Sequence, residues 1–201
     1  MKLSPTEWKL ATSRSEMEIH MNTTDNLEQF LPILRTASIF SGMSDSEILS
    51  VLHCMGAFVS DKEKDSYLLR AGDTTSTMVL LLSGSAIVIQ EDVWGHRNIM
   101  AQILPGQTFA EPFAASNGTA LNISVVVTKD CSLLYLDIHR ILGVCPSACE
   151  HHTHLIQNLI SVLAKKLLLF NEKITHMSKR TTKEKLLSYL SAEAQRQGRL
   201  F

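Results

Sequence analysis

Apolar positions recur along this chain with three different periods, and the points where the period changes mark its organisation. Leu27, Phe30, Leu31 and Leu34 step by three and four residues, the spacing of a short helix with one buried face, and Asp25 stands where its N-cap would be. Ser44 and Glu47 have the capping-box spacing, Ile48, Leu49, Val51 and Leu52 follow, and Gly56 sits where a left-handed residue would end that helix. From Ala57 to Leu136 the repeat shortens to that of strands. Met78 to Leu82 is a continuous apolar run, Ser83-Gly84-Ser85 turns into Ala86-Ile87-Val88-Ile89, and Trp94-Gly95-His96 turns into a run from Ile99 to Leu104. Pro105-Gly106 is a further turn, Ile123–Val127 and Leu133–Leu136 complete the set, and Lys129-Asp130 bends between these last two. Gly72, Gly84, Gly95, Gly106 and Gly118 punctuate the region at intervals of 12, 11, 11 and 12 residues. Roughly eight short strands at hairpin spacing predict an antiparallel, jelly-roll-like β-roll.

After Gly143 no glycine appears until Gly198, and the period lengthens again. Residues 150–178 predict one long helix in which Ile156, Ile160, Leu163, Leu167, Phe170, Ile174 and Met177 step by 4, 3, 4, 3, 4 and 3. That is an a/d seam, roughly 33 Å long at 1.5 Å per residue. A second stripe, Leu155, Leu159, Val162 and Leu169, is expected to face the chain's own roll. Two stripes need two covering surfaces, so the helix predicts a homodimer. The last helix opens at a second capping box, Thr181 with Glu184, presents Leu186, Leu187, Leu190 and Ala194, and stops at Gly198. Nothing left in the sequence covers that face, so the chain is expected to stop at Phe201 one helix into another domain. The resulting fold class is α+β: an N-terminal extension (1–26), a β-roll domain (27–149), a dimerisation helix (150–178) and the start of a further domain (179–201).

Composition adds little to this and excludes some things. The 201 residues are 45% hydrophobic and 19% charged, with a net charge of −1, as for an ordinary soluble domain. Charge is uneven: residues 161–201 carry nine Lys and Arg against three Glu, a modest pointer to a polyanionic partner that a solvated helix face would explain equally well. No apolar run is long enough to span a membrane, and the polar first 26 residues are not a secretory signal. Four cysteines (Cys54, Cys131, Cys145, Cys149) without a signal fit a reducing cytoplasm.

The order of parts resembles the catabolite activator and fumarate–nitrate regulator (Crp/Fnr) superfamily of bacterial transcription regulators, which carry a cyclic-nucleotide-binding domain. The residues carrying the resemblance run from Leu27 to the chain end. They are Phe40-Ser41-Gly42-Met43-Ser44, Leu82-Ser83-Gly84, Leu104-Pro105-Gly106 followed by Phe109-Ala110-Glu111, and the long helix giving way to the segment from Thr181 to Leu190. The resemblance implies a cytoplasmic homodimer whose roll takes a small-molecule effector and whose long helices reorient. It also implies a C-terminal winged helix-turn-helix domain that meets DNA, of which only the first helix lies in this chain.

The site departs from the family's pattern. Nucleotide-binding relatives use a Gly-Glu pair opening a short helix and an Arg-Ser/Thr pair about ten residues on. Amides and guanidinium hold the cyclic phosphate, and the carboxylate takes the ribose hydroxyl. Here Ala110 stands for the glycine, Glu111 remains, and Leu121-Asn122 occupy the Arg-Ser/Thr positions. Leucine cannot neutralise a phosphate, and burying that anion without a cation would cost several kcal/mol. The chain is therefore expected not to bind cyclic AMP, and to take a less polar effector at Phe109, Ala110, Glu111, Pro112, Phe113, Leu121 and Asn122. These apolar residues could also simply fill the roll.

Other chemistries find weaker support. An iron–sulfur cluster needs four well-placed thiolates, and only Cys145 and Cys149 are close. These two with His151, His152 and His154 have zinc-ligand chemistry but read as solvated helix-start residues, so neither metal nor cofactor is expected. A haem-based gas sensor would need an axial ligand from His53, His96, Cys54 or Cys131. A cupin-type enzyme would need several histidines inside the roll, whereas His96 is the only one between residues 57 and 136. The prediction is a sensor of this superfamily rather than an enzyme. The alternatives are a dimeric ligand- or protein-binding module without DNA binding, and the haem sensor.

Overall fold

The computed structural model describes residues 27–198 apart from Val93, Asn117 and 144–149. Asp25, the 1–26 extension, Cys145 and Cys149 lie outside the described residues. The chain divides after Asn158 into two compact units.

The first unit opens with a 3-10 turn, Glu28–Phe30, and one α-helical turn, α1 (Leu31–Leu34), with Leu27 and Leu34 buried. Pro32 sits in the first turn of α1, where a missing amide costs nothing. α2 (Asp45–Cys54) has the expected capping box: Glu47 accepts the Ser44 amide at 2.7 Å while Ser44 Oγ accepts the Glu47 amide at 3.4 Å. Gly56 follows at φ 61°, and a Cβ there would collide with the Arg140 guanidinium, which donates to the Met55 carbonyl at 3.1 Å. Ile48, Val51, Leu52 and Met55 are fully buried, each contributing about 1.5–3 kcal/mol.

Eight strands follow: β1 (Phe58–Lys62), β2 (Tyr67–Leu69), β3 (Thr77–Leu81), β4 (Ser85–Glu91), β5 (Arg97–Ile103), β6 (Thr108–Phe109), β7 (Ser124–Lys129) and β8 (Cys131–Asp137). They form two antiparallel four-stranded sheets, in the orders β1-β8-β3-β6 and β2-β7-β4-β5, the jelly-roll-like arrangement expected from the turn spacing. The continuous apolar run in β3 reflects burial on both faces. Val79 and Leu81 join an interior cluster with Ala86, Ile103, Val125, Val127, Cys131 and Leu133, while Met78 and Leu80 are buried outside that cluster. β8 follows the same rule, with Cys131 and Leu133 in the cluster and Leu134 and Leu136 buried outside it.

β5 is the opposite case. It is the edge of its sheet, exposed at every residue except Ile103, and its pairing with β4 is interrupted by a bulge beside Val88 and Ile89. Edge strands are commonly blunted by bulges and charge, and Arg97 and Glu91 supply the charge here. At the β4–β5 hairpin the Asp92 carboxylate accepts the amides of Trp94 and His96, each at 2.9 Å, which fixes the turn. Gly84, between β3 and β4, has φ 83°, and a Cβ there would run into the Asp130 carbonyl and Cys131.

α4 (Ile138–Leu142) is capped by Asp137, whose carboxylate accepts the His139 amide at 2.8 Å. α5 spans Glu150–Met177, as the heptad pattern predicts, and its start is tied to the α2 region. His151 Nδ1 lies 3.1 Å from the Glu47 carboxylate, and Asn158 Nδ2 donates to the Ser41 carbonyl at 2.9 Å. The second unit holds the rest of α5 and α6 (Thr182–Arg196), which has the expected Thr181–Glu184 capping box. Along α5, Leu155, Leu159 and Val162 are buried. Leu169, expected on that stripe, is exposed with Leu168, because the run Leu167–Phe170 places apolar side chains all round the helix. Of the seam, Ile156 and Leu163 are half-buried, and Ile160, Leu167, Phe170, Ile174 and Met177 are exposed in the single chain. No helix among the described residues is long and apolar enough to cross a membrane.

Candidate functional site

The predicted site begins where β6 ends. Phe109 pairs with Val79 of β3 and belongs to the interior cluster with Ala110. The chain then turns at Ala110, whose φ of 68° lies in the left-handed region, and enters the short helix α3 (Glu111–Ala115). A side chain in that conformation costs about 1–2 kcal/mol, which explains why glycine is the fitting residue there. The Ala114 amide closes the turn on the Ala110 carbonyl at 2.9 Å. Pro112 sits in the first turn of α3, so one amide that could face an anion is missing. Glu111 is 1% exposed, Phe113 half-buried and Pro112 exposed.

Leu121 is held from the other side of the roll. Its amide donates to the Asp73 carbonyl and its carbonyl accepts the Gly72 amide, both at 2.8 Å, while Ser124 Oγ accepts the Ala71 amide at 2.9 Å. These bonds pin the segment before β7 to the 71–73 turn, and Leu121 is 3% exposed. Asn122, next to it, is exposed. The fold thus gathers Phe109 and Ala110 into one interior cluster, buries Glu111 and Leu121, and leaves Pro112 and Asn122 at the surface.

The electrostatics follow from which groups are buried. Among the described residues the buried polar side chains are Ser85, Thr108, Glu111 and His152; no Arg or Lys is buried. The interior also holds Tyr135, which the sequence reading did not single out, and Cys131, which it named as a cysteine and a haem-ligand candidate. Tyr135 packs against the cluster and stacks on Phe58, its cross-strand partner, with ring centroids 4.9 Å apart and planes within 4°. Burial, aided by Cys131, pushes the Tyr135 phenol up to about 12. The Cys131 thiol is raised by burial and then by Asp61 and Asp130. Tyr135 was legible as the next inward position after Cys131 and Leu133 in a period-2 strand. The 71–73 clamp on Leu121 has no local sequence signal, because its partners are some fifty residues apart.

Among the haem-ligand candidates, His53 and Cys54 are at the exposed end of α2. His96 lies at the exposed β4–β5 hairpin with Nδ1 2.9 Å from Asp92, and only Cys131 is interior. Among the described residues no three His, Cys, Asp or Glu side chains are grouped so as to hold a metal ion.

The roll of two four-stranded antiparallel sheets has a short helix after β6. Residues 61–147 match the family model described as the cyclic nucleotide-binding domain, and the roll has the fold of such domains. The Thermus thermophilus catabolite activator protein is similar at 20% identity and a TM-score of 0.60, over 71% of this chain and 63% of that one. This chain therefore spans less than two thirds of that protein. A cyclic nucleotide-binding domain from Methylobacillus flagellatus is similar at 16% identity and a TM-score of 0.66, over 81% of this chain and 90% of that one. The sensor domain of the transcriptional regulator DNR from Pseudomonas aeruginosa gives 14% identity and a TM-score of 0.55, over 77% and 97%. No curated protein sequence matches the chain.

Proposed function

We propose that the chain is the sensory part of a homodimeric transcription regulator whose roll answers to a small molecule other than cyclic AMP. The observation that carries this reading is that Leu121, at the position the resemblance gives to the phosphate-holding arginine, and Glu111 are each buried, while no Arg or Lys is buried among the described residues. An anion would pay the desolvation cost there with no cation to offset it. Phe109, Ala110, Glu111, Phe113 and Leu121 would contact a mainly apolar effector, with Pro112 and Asn122 at its rim. The likeness of the roll to the DNR sensor domain and to the catabolite activator protein supports a regulatory role. The exposed part of the seam on α5 supports pairing with a second copy, and DNA would be met by a winged helix-turn-helix domain of which α6 is the first helix. Effector binding would bias two arrangements of the paired helices through its different affinity for each.

Calorimetric titration with cyclic AMP tests the site directly. No binding is expected at micromolar concentrations, and micromolar affinity would overturn the reading. The converse variant, Leu121→Arg, restores the missing cation at a buried position. Without ligand it is expected to lose about 3 kcal/mol of stability. Cyclic AMP should then raise its melting temperature while leaving that of the parent protein unchanged.

A further inference from the structure

The second unit contains an elbow that apolar packing does not fix. Four residues, Ser178 to Thr181, separate α5 from α6, and both helix ends are closed off. The Ser178 amide donates to the Ile174 carbonyl at 2.8 Å, Ser178 Oγ donates to the Thr175 carbonyl at 2.8 Å, and the Thr181–Glu184 box starts α6. No residue of α6 is buried, and Leu186, Leu187 and Leu190 are exposed.

The contacts that cross the elbow are polar and aromatic. His176 Nδ1 lies 2.8 Å from Ser188 Oγ, and the His176 ring meets Tyr189 edge-on with centroids 6.0 Å apart. On the other side of the imidazole, Nε2 lies 3.7 Å from Glu172 Oε1. The second oxygen of Glu172 accepts a hydrogen bond from Arg196 Nη2, and Arg196 Nη1 donates to Glu193 at 3.1 Å. Glu172 therefore links the middle and the C-terminal end of α6 to α5: Ser188 and Tyr189 through His176, and Arg196 directly. The His176 side chain is only 12% exposed, so the hub of the set is sheltered, whereas Glu172 and Arg196 stay partly exposed.

We propose that Glu172, His176, Ser188 and Arg196 form a conformational latch that sets the angle between α5 and α6. Each contact alone is worth little, since partly exposed ion pairs are screened and single neutral hydrogen bonds only exchange with those made to water. They share Glu172 and His176, so they are lost together. A joint held this way sits a small free-energy step from release, the condition under which a ligand's differential affinity can shift populations. What the elbow carries rests on the function proposed above; the latch itself is a property of one chain.

The test is a distance distribution across the elbow. Spin labels are placed at the exposed positions Lys165 and Gln195 as non-natural side chains, leaving native thiols unlabelled, and the protein is diluted with unlabelled chain so that only pairs within one chain report. The parent protein is expected to give one narrow distance. Glu172→Ala and His176→Phe should each widen it about twofold at unchanged helical circular dichroism. Arg196→Gln, at a more exposed position, should widen it in the same direction without risk to the fold. The swapped pair Glu172→Arg with Arg196→Glu should narrow it again. A broad distance in the parent protein, or variants as narrow as the parent, would overturn the latch. Failure to find effector or DNA binding leaves this distribution unchanged, so the two readings fail separately.

Discussion

At Ala110 a single methyl group sits on a turn that favours glycine. The backbone keeps the left-handed turn into α3, yet the residue is not glycine. Ala110→Gly is expected to stabilise the protein by up to about 1 kcal/mol in urea unfolding, because relief of the turn outweighs the freer unfolded chain. A loss of stability would mean that the methyl's place in the interior cluster outweighs the strain. Tyr135 makes a second prediction at this scale. Its phenol titrates at about 12, so it contributes stability that is fully present below the ordinary tyrosine range near pH 10 and is lost as pH rises through about 12. Alkaline difference absorbance should resolve one of the three tyrosines in that late step. Leu121 is singled out by counting forward from Glu111 and back from Cys131, and the structure buries it. The strain at Ala110 was not, since alanine gives no signal of positive φ.

Helix ends were the most readable elements. Ser44 with Glu47 and Thr181 with Glu184 each place an acceptor and a returning carboxylate three residues apart, and both boxes form. The Ser44 amide and hydroxyl, followed by neighbouring His151 and His154, hold the Glu47 carboxyl below the usual carboxylate range. A lowered folded-state value gives stability that is present above that range and is lost as pH falls through the folded value. Glu47→Gln should therefore flatten the fall in melting temperature between about pH 5 and about pH 3. A parent-like fall would show that the box does not couple to folding. Strands were read well where turns are strong, as at Ser83-Gly84 and Pro105-Gly106. β1, β2 and the two-residue β6 were hidden: Phe58–Lys62 and Tyr67–Leu69 lack a clean alternation and are defined by partners far along the chain. The stripe containing Leu169 failed for a related reason, since a run of four apolar residues on a helix satisfies any stripe drawn through it.

For the whole molecule the unpartnered seam is the dominant feature. Leu163→Asp or Leu167→Asp is expected to yield monomers in sedimentation velocity, because each would place a charge against its symmetry mate. Dimers that persist in both variants would remove the heptad seam as the pairing surface. The sheet topology carries one more consequence. β1 (Phe58–Lys62) pairs with β8 (Cys131–Asp137), far along the chain, so that Phe58 faces Tyr135 and Lys62 faces Cys131. β8 also lies between β1 and β3, so the first sheet cannot assemble until its last strand is made. During synthesis the β4–β5 hairpin can close as it emerges, whereas β1 must wait without a mate while nearly the whole roll leaves the ribosome. Such a high-contact-order chain folds on a scale of milliseconds to seconds, and nascent chains ending before Cys131 should be readily cut by protease and bound by chaperones.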